Sequence, residues 1–180
     1  IVELGLNSYE SYLDRVKLDD SERLIFIDLV TTNETYFYRT PRIWNYIVDN
    51  FLPKWIKDHK GETFQAWSAA ASSGEEAHTL AVILQDFKDR NQSFSFQIFG
   101  SDISQEMVGL CELGKYSGRS IEAFKKAKSE LFIRHMEPCD NSGTYQVRSE
   151  IKSRVRFQQH NLFKPLAKRG PFDLVLIRNV

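Results

Sequence analysis

The 180-residue chain is long enough to form one domain with a substantial hydrophobic core. Its 24 lysines and arginines balance 24 aspartates and glutamates, so no overall field attracts nucleic acid or an anionic membrane surface. Cys111 and Cys139 lack CxxC spacing, and the four histidines follow no metal-ligand pattern. No apolar run approaches the roughly 18 residues of a membrane span. We therefore expect a cytoplasmic protein with reduced thiols, no metal, no nucleic-acid partner and no membrane insertion.

The first third of the chain is predicted to be helical. Residues 8–17 place apolar side chains on one helical face behind a Ser8 cap, and residues 21–30 predict a short, mostly buried helix. A third helix is expected to begin at Pro41 and to end or kink at Pro53. The connection before it, TTNETYFYR at residues 31–39, carries far more hydrogen-bonding and aromatic groups than a linker between helices needs.

Strands and helices alternate from residue 63 onwards. TFQAWS and FSFQIFGSD predict strands, and each precedes an amphipathic helix, the second of which closes at Gly114. Because this alternation is typical of parallel sheets with right-handed crossovers, we expect an α/β fold. RVRFQQ and FDLVLI predict two further strands, the last of them covered on both faces.

An antiparallel insertion is expected to interrupt this alternation. SIEAFKKAKSELF predicts one helix, and ELFIRHM and TYQVRS are predicted to pair across the turn PCDNSG. The insertion would cover about residues 130–150.

The turn in WSAAASSGEEAHTL, residues 67–80, lies where doubly wound folds hold a nucleotide-like cofactor. Ser72 with Glu75 and Ser73 with Glu76 each match the capping-box pattern. Two glutamates in the first helical turn would repel the phosphates of NAD or ATP, and no GxGxxG motif is present. They would suit a cofactor with a positive end, such as S-adenosylmethionine. The alternative is that both glutamates only favour the helix dipole and cap the helix.

Polar residues follow the other predicted parallel strands. Asp102 ends the second strand, where an acid can accept hydrogen bonds from ribose hydroxyls, and its alternative role is to cap the next helix. Asn161 and Leu162 follow the third strand, and Arg178 and Asn179 follow the fourth, where an adenine edge could be read. Each of these dipeptides could equally serve as a turn or a solvated surface.

The motifs TTNETYFYR, WSAAASSGEE, SDIS, NLF and FDLVLIRNV, in this order, resemble those of the CheR-type chemotaxis receptor methyltransferases. Enzymes of that family transfer a methyl group from S-adenosylmethionine to glutamate side chains of chemoreceptors and release S-adenosylhomocysteine. The resemblance implies a Rossmann-like class I methyltransferase sheet at residues 59–180, with a small antiparallel β-subdomain insert, behind a helical N-terminal domain and linker at residues 1–58. It also implies a chemoreceptor cytoplasmic domain as partner, with docking of a receptor tail at the β-subdomain.

The resemblance also assigns roles to individual residues. Arg39 would be the catalytic residue that orients the substrate carboxylate, Glu76 rather than Glu75 would meet the methionine end of the cofactor, and Asp102 would meet the ribose. Tyr36, Phe37 and Tyr38 are expected to be mostly scaffold. The full set of cofactor-binding residues implied in this way is Asn33, Thr35, Arg39, Glu75, Glu76, Asp102, Asn161, Leu162, Arg178 and Asn179.

The sequence departs from the family pattern in three respects. The family commonly has GEEPY where this chain has GEEAH, with Ala77 and His78. The family also continues past RNV into a segment with an active-site tyrosine, so the C-terminal part of the sheet is expected to be missing. These departures leave open a second interpretation, a non-catalytic methyltransferase-like module that binds S-adenosylmethionine or docks a receptor.

Overall fold

A computed structural model of the chain describes residues 5–30, 34–139, 142–166 and 169–178. The described strands are β1 (Thr63–Ala69), β2 (Ser95–Asp102), β3 (Lys115–Tyr116), β4 (Met136–Pro138), β5 (Tyr145–Val147), β6 (Val155–Gln159) and β7 (Leu174–Ile177). The described helices are α1 (Tyr9–Leu18), α2 (Asp20–Val30), α3 (Pro41–Tyr46), α4 (Leu52–Asp58), α5 (Glu75–Arg90), α6 (Gln105–Leu113), α7 (Arg119–Ala127), α8 (Ser129–His135) and α9 (Ser149–Lys152). Among the described residues no helix is both long and apolar enough to cross a bilayer.

The main sheet confirms the predicted α/β fold. Its strands lie in the order β6–β2–β1–β7, and every neighbouring pair is parallel. Ala69 pairs with Ser101 on one side and with Ile177 on the other, and Asp102 pairs with Gln159. The carboxyl ends of the strands therefore lie along one rim, which is where parallel sheets hold their ligands.

Helix α5 covers the centre of this sheet. Its buried residues include Leu80, Leu84 and Phe87, which belong to the same core cluster as Phe64 of β1 and Phe96 of β2. This agrees with the predicted apolar stripe of the helix. The sheet supplies the other half of this core through residues such as Phe64 and Phe96, because successive side chains of a strand point to opposite faces.

Strand β7 differs from the prediction of a strand covered on both faces. It pairs with β1 and is an edge strand of the described sheet, with Leu176 buried at 7% exposure. Val175 and Ile177, on its other face, are 43% and 58% exposed. A continuous apolar run does not distinguish a central strand from an edge strand, since its composition is the same in both.

The small antiparallel sheet has the order β3–β5–β4. The prediction that ELFIRHM forms a strand was wrong, because α8 runs to His135 and only Met136–Pro138 pairs with β5. Phe132 and His135, three residues apart, are both buried, which is a helical spacing. The predicted single helix before it is broken at Lys128, whose φ is −143°.

The N-terminal helices also differ in part from the predictions. Helix α2 is mostly exposed and not mostly buried, with Leu29 at 74% and Val30 at 59% exposure, because it packs on α1 and α6 and not in the sheet core. The third helix, predicted to end or kink at Pro53, ends at Tyr46, and Pro53 lies in the first turn of α4. A π-helical turn over Ile47–Phe51 joins α3 to α4, and such a wide turn accommodates a residue without a backbone N–H.

Candidate active site

The connection from β1 to α5 is a tight turn built from small residues. Ala70 and Ser72 have φ values of 59° and 50°, and Gly74, the N-cap of α5, has a φ of 98°. Gly74 takes the N-cap position, so neither serine occupies the place that the two predicted capping boxes require. Ser73 Oγ instead donates to Glu75 Oε2 at 2.6 Å. Left-handed conformations disfavour side chains, which explains why glycine ends the turn.

The two glutamates of α5 have different surroundings. Glu75 is 4% exposed, and its carboxylate accepts hydrogen bonds from Ser120 Oγ and Ser73 Oγ, both at 2.6 Å. Glu76 lies at the rim, where Oε1 accepts from Ser68 Oγ at 2.8 Å and Oε2 accepts from Arg178 Nη1 at 3.1 Å. The geometry therefore favours Glu76 as the rim acid and gives Glu75 an internal, structural position.

The ionisation of Glu76 reflects competing influences. Burial raises the pKa of its carboxyl group, while the hydrogen bond from Ser68 and the charges of Arg178 and Arg39 lower it. Burial is the largest of these causes, so the net direction is upward. Any further cation that approaches this partly buried carboxylate would stabilise its ionised form.

Arg178 joins Glu76 to the N-terminal part of the chain. Its Nη2 donates to Thr40 Oγ1 at 2.7 Å and to the backbone oxygen of Arg39 at 3.3 Å, and its guanidinium carbon lies 5.8 Å from the ring centroid of Trp44. Thr40 is the N-cap residue of α3, but its hydroxyl accepts from Arg178 and makes no side-chain cap of that helix. One guanidinium fork ties together α5, the exit of β7 and the segment before α3.

Two aromatic residues anchor the segment that carries Arg39. Phe37 is fully buried, its N–H donates to the backbone oxygen of Ser120 at 2.8 Å, and its ring stacks on Phe124 at 5.6 Å. Tyr38 is 5% exposed, and its N–H donates to Thr79 Oγ1 at 3.1 Å. These two residues have the scaffold role that was expected, whereas the third aromatic of the group, Tyr36, is 37% exposed.

Arg39 lies between two residues with left-handed backbone conformations. Tyr38 has a φ of 59° and Thr40 a φ of 60°, and such strain persists only where surrounding contacts fix it. Arg39 is half-buried, and its Nη1 donates to the backbone oxygen of Glu34 at 3.0 Å while its guanidinium carbon lies 5.6 Å from the Tyr36 ring centroid. Its position is therefore set by the backbone more than by a partner side chain. Thr35 is half-buried nearby in the sequence, and Asn33 lies outside the described residues.

Asp102 ties three segments of the rim together. Its Oδ2 accepts from Ser72 N at 2.7 Å, its Oδ1 accepts from Ser104 N at 3.0 Å, and its backbone oxygen accepts from His160 N at 2.7 Å. The alternative that Asp102 caps α6 was wrong, because Ser104 is the N-cap and its Oγ accepts from Met107 N. Asp102 is 6% exposed.

The residues predicted for the adenosine side do not lie together. Asn161 follows β6, where its Oδ1 accepts from Phe163 N at 2.9 Å, and Leu162 is 36% exposed. Arg178 follows β7, at the opposite edge of the described sheet, and contacts Glu76 there. Three strand spacings of about 4.8 Å separate these edges by ~14 Å. Asn179 lies outside the described residues.

Several residues of the site were not predicted. Ser68 donates a hydrogen bond to Glu76, and Ser120 donates one to Glu75. Tyr116 donates its hydroxyl hydrogen to the backbone oxygen of Ser73 at 3.0 Å. Ser68 could have been found, since it lies at the end of a predicted strand beside the turn. The other two come from residues 115–121, which the sequence places in no relation to the turn. No group of acidic, histidine or cysteine residues in the described part of the chain could hold a metal.

Comparison with known proteins extends these observations. The profile of the family described as "CheR methyltransferase, SAM binding domain" matches residues 33–180. The chain is 31% identical to chemotaxis protein methyltransferase Cher2 of Pseudomonas putida over 86% of its own length and 56% of that protein. It is 29% identical to the chemotaxis protein methyltransferase of Listeria monocytogenes, covering 93% of this chain and 58% of the relative. It is also 29% identical to chemotaxis protein methyltransferase 1 of Pseudomonas aeruginosa, covering 98% of this chain and 65% of the relative.

The chain thus spans 56 to 65% of the length of these three relatives. The family match covers the segment around Arg39, the turn before α5 and the exits of the parallel strands, which are the parts that the geometry brings to one rim. The chain belongs to the CheR methyltransferase family and carries its S-adenosylmethionine-binding domain.

Proposed function

We propose that this chain transfers a methyl group from S-adenosylmethionine to glutamate side-chain carboxylates of chemoreceptors in the cytoplasm, forming glutamate methyl esters. The observation that carries the proposal is the contact of Arg178 with Glu76 and with the segment at Arg39 and Thr40. Through this contact Glu76, at the start of α5, is linked to the segment that carries Arg39, which supports a shared site for cofactor and acceptor. The names of the three relatives, all chemotaxis protein methyltransferases, support the choice of a chemoreceptor as acceptor.

The residues present fit the cofactor. S-adenosylmethionine carries positive charge at its ammonium and sulfonium groups and hydroxyls on its ribose. Glu76 offers a carboxylate whose side chain is 12% exposed, and the carboxylate of Asp102 lies at the next strand end. Each of these carboxylate oxygens accepts one described hydrogen bond and retains a further lone pair. A pyrophosphate would meet two negative groups here, so a cationic cofactor fits better than a dinucleotide.

The small residues of the turn fit a close approach of the cofactor to the backbone. Ala69 and Ala71 are buried, and Ala70 and Ser72 adopt the left-handed conformations that turn the chain sharply back into α5. Ala69 pairs with Ser101 where the turn leaves the rim between β1 and β2. In that rim, Asp102 also holds the turn by accepting the hydrogen bond from Ser72 N.

The chemistry of the acceptor needs no general base. S-adenosylmethionine supplies an electrophilic methyl group when it is bound, and a glutamate side chain with a pKa near 4.3 is already ionised at pH 7. The contribution of this chain is therefore to bind both molecules, to align the attacking oxygen and to exclude water. Alignment of this kind supplies roughly 7–11 kcal/mol in favourable cases.

Arg39 is the residue proposed to orient the acceptor carboxylate. Its one described hydrogen bond is to a backbone oxygen, so its guanidinium retains N–H groups for a carboxylate. Strained backbone on both sides, the burial of Phe37 and Tyr38, and the contact of Arg178 with its carbonyl oxygen support a fixed position. A single contact would leave the second carboxylate oxygen free to attack, whereas a tight bidentate contact would lower its nucleophilicity.

The change from GEEPY to GEEAH lies outside the proposed contacts. His78 is 1% exposed, and its Nδ1 lies 2.6 Å from the Tyr116 hydroxyl beneath the turn. The substitution therefore affects the support of the turn and leaves Glu76 at the rim.

We further propose that a receptor tail adds a strand to the small sheet, where β3 and β4 are the outer strands of the described order.

The test is a methyl-transfer assay with tritiated S-adenosylmethionine and receptor cytoplasmic fragments. Methylation of glutamate gives an ester, so we expect label that base releases as methanol. Arg39→Ala should abolish this label, whereas Arg42→Ala, at an exposed arginine three residues later, should keep it within about twofold of the parent. Base-stable label would contradict an ester product, and tight binding of S-adenosylhomocysteine without any transfer would identify a non-catalytic module.

A further inference from the structure

We propose that Tyr116, on strand β3 of the small antiparallel sheet, is a positioning residue that holds the cofactor turn and thereby sets the affinity for S-adenosylmethionine. The proposal rests on the binding of this cofactor and not on the identity of the methyl acceptor. Tyr116 lies 40 residues beyond Glu76 in the chain and outside the parallel sheet.

The hydroxyl of Tyr116 makes two hydrogen bonds beneath the turn. It donates to the backbone oxygen of Ser73 at 3.0 Å, and it lies 2.6 Å from Nδ1 of His78. Because its hydrogen is directed to Ser73, the hydroxyl oxygen accepts from a protonated Nδ1 of a neutral His78. Burial, with a smaller contribution from Lys152, lowers the pKa of His78 to about 3, so the ring stays neutral at ordinary pH.

Three side chains hold the backbone of the turn, and each comes from a different element. Asp102 of β2 accepts from Ser72 N at 2.7 Å, Cys111 of α6 donates its thiol hydrogen to Ser72 O at 2.9 Å, and Tyr116 donates to Ser73 O. The turn contains left-handed residues that need such external support. Asp102 and Cys111 both make their hydrogen bonds to the backbone of Ser72. Among the described side chains, Tyr116 is the one that donates to the backbone of Ser73.

The hydroxyl also limits which residue can follow Ser73. A Cβ at Gly74 would lie 2.8 Å from the Tyr116 hydroxyl oxygen and 3.1 Å from Cys111 Sγ. The hydroxyl is therefore packed against the turn at van der Waals distance, with no room between them for a methyl group. Glu76, the rim acid, follows this position by two residues.

The ring of Tyr116 contacts the other half of the site. It packs edge-on against Phe37 at a centroid distance of 4.8 Å and an interplanar angle of 82°. Phe37 anchors the segment that leads to Arg39. The hydroxyl thus touches the backbone of the turn that leads to Glu76, whereas the ring touches the anchor of the segment that carries Arg39. Removal of the hydroxyl alone should therefore affect cofactor binding and leave the acceptor side unchanged.

The test compares Tyr116→Phe with Tyr145→Phe. The first variant removes the hydroxyl and keeps the ring that packs against Phe37. Tyr145 is the cross-strand neighbour of Tyr116 in β5, its ring packs on Phe132, and its hydroxyl has no hydrogen-bond partner among the described residues. Both variants lose one phenolic hydroxyl from the same sheet, so they differ in the hydrogen bonds to Ser73 and His78.

Binding of S-adenosylhomocysteine is measured by calorimetry, with folding checked by circular dichroism. We expect Tyr116→Phe to weaken binding roughly 5- to 30-fold, because the Ser73 carbonyl and the buried His78 imidazole lose their partner, and Tyr145→Phe to change it less than about twofold. His78→Phe, which removes only the second hydrogen bond, should give an intermediate loss and serves as the second variant if Tyr116→Phe does not fold. In steady-state assays the KM for S-adenosylmethionine should rise while the KM for the receptor fragment stays unchanged.

Equal affinities of Tyr116→Phe and Tyr145→Phe would overturn the proposal, as would a fall in stability without a fall in affinity. The outcome is separable from that of the proposed function. A parent protein that binds S-adenosylhomocysteine but labels no receptor fragment would contradict methyl transfer to chemoreceptors. The comparison of Tyr116→Phe with Tyr145→Phe would still test the role of Tyr116, because it measures only the affinity for S-adenosylhomocysteine.

Discussion

Arg178 Nη1 lies 3.1 Å from Glu76 Oε2, although 102 residues separate the two in the chain. The same guanidinium contacts Thr40 Oγ1 and the carbonyl oxygen of Arg39, so the pair is a junction between α5, the exit of β7 and the segment before α3. Both side chains are largely buried, at 15% and 12% exposure. A buried ion pair is weak support for stability by itself, since desolvation offsets much of its attraction. We propose that its position at the rim serves a ligand that needs the carboxylate.

Glu76→Gln tests this explanation directly. The amide preserves the shape of the side chain but removes the negative charge that would meet the cofactor ammonium, and it leaves the Arg178 charge uncompensated. Hydrogen bonds to charged groups contribute about 1.5–3 kcal/mol, so affinity for S-adenosylhomocysteine should fall roughly 10- to 100-fold in calorimetry. Glu62→Gln, at an exposed glutamate before β1, is the control and should bind like the parent. Undiminished affinity in Glu76→Gln would remove this residue from the cofactor site.

Gly74→Ala tests how tightly the turn is packed. A Cβ would meet the Tyr116 hydroxyl at 2.8 Å and Cys111 Cα at 3.2 Å, at a φ of +98°. The control is Gly61→Ala, at a φ of +80°, where no described atom lies within 4 Å of the added Cβ. Left-handed strain of about 1–2 kcal/mol is common to both, and the contacts should add roughly 1–3 kcal/mol in Gly74→Ala only. Urea unfolding measures the difference in the free energy of unfolding, and equal losses would show that the turn has room to relax.

The elements around this turn could be predicted because their patterns are local. The stripe of Leu80, Leu84 and Phe87 has helical spacing, and the first residues of β1 and β2 alternate with a period of two, so a short window contains most of the signal. The segment before β4 was assigned wrongly for the same reason. ELFIRHM is apolar at positions that suit either a strand or a helix, and the burial of Phe132 and His135 on one helical face decides it only in the folded chain.

The contacts of the candidate site could be predicted only in part, because most of them join distant positions. The residue types at Glu76, Asp102 and Arg178 could be singled out at strand ends, but the pairing of Arg178 with Glu76 depends on β7 lying beside β1. The serines before α5 matched a capping box, yet the glycine after them takes the N-cap because its φ of 98° suits only glycine without strain. Propensity and motif therefore identified the turn between β1 and α5 but not its hydrogen bonds.

Asp102→Asn tests whether the Asp102 carboxylate supports the turn, binds the cofactor or does both. The carboxylate accepts from Ser72 N and from Ser104 N, so an amide must direct its NH₂ group at one of these donors. We expect the free energy of unfolding to fall by about 1–3 kcal/mol and the affinity for S-adenosylhomocysteine to fall with it. Asp58→Asn, at an exposed aspartate that ends α4, should change neither quantity. Full affinity in a destabilised Asp102→Asn would argue that the carboxylate supports the turn without touching the ribose.

The buried histidine beneath the turn makes stability depend on pH in a predictable direction. Burial, followed by the charge of Lys152, lowers the pKa of His78 from 6.5 to about 3 in the folded chain. Between these two values the unfolded chain binds a proton that the folded chain does not, so the free energy of unfolding falls as the pH falls. The expected slope from this group is about 1.4 kcal/mol per pH unit below pH 6, and it vanishes above pH 7.

His78→Phe isolates this contribution. Other groups with shifted pKa values, such as His135 and Glu76, remain in both proteins and cancel when the two unfolding curves are subtracted. The difference in the free energy of unfolding, parent minus variant, should therefore be constant from pH 7 to 8 and should decline steadily from pH 6 to 4. Urea unfolding followed by circular dichroism at each pH gives this difference. Parallel curves over the whole range would mean that His78 takes up its proton without unfolding, and that the hydrogen bond between His78 and Tyr116 does not require a neutral ring.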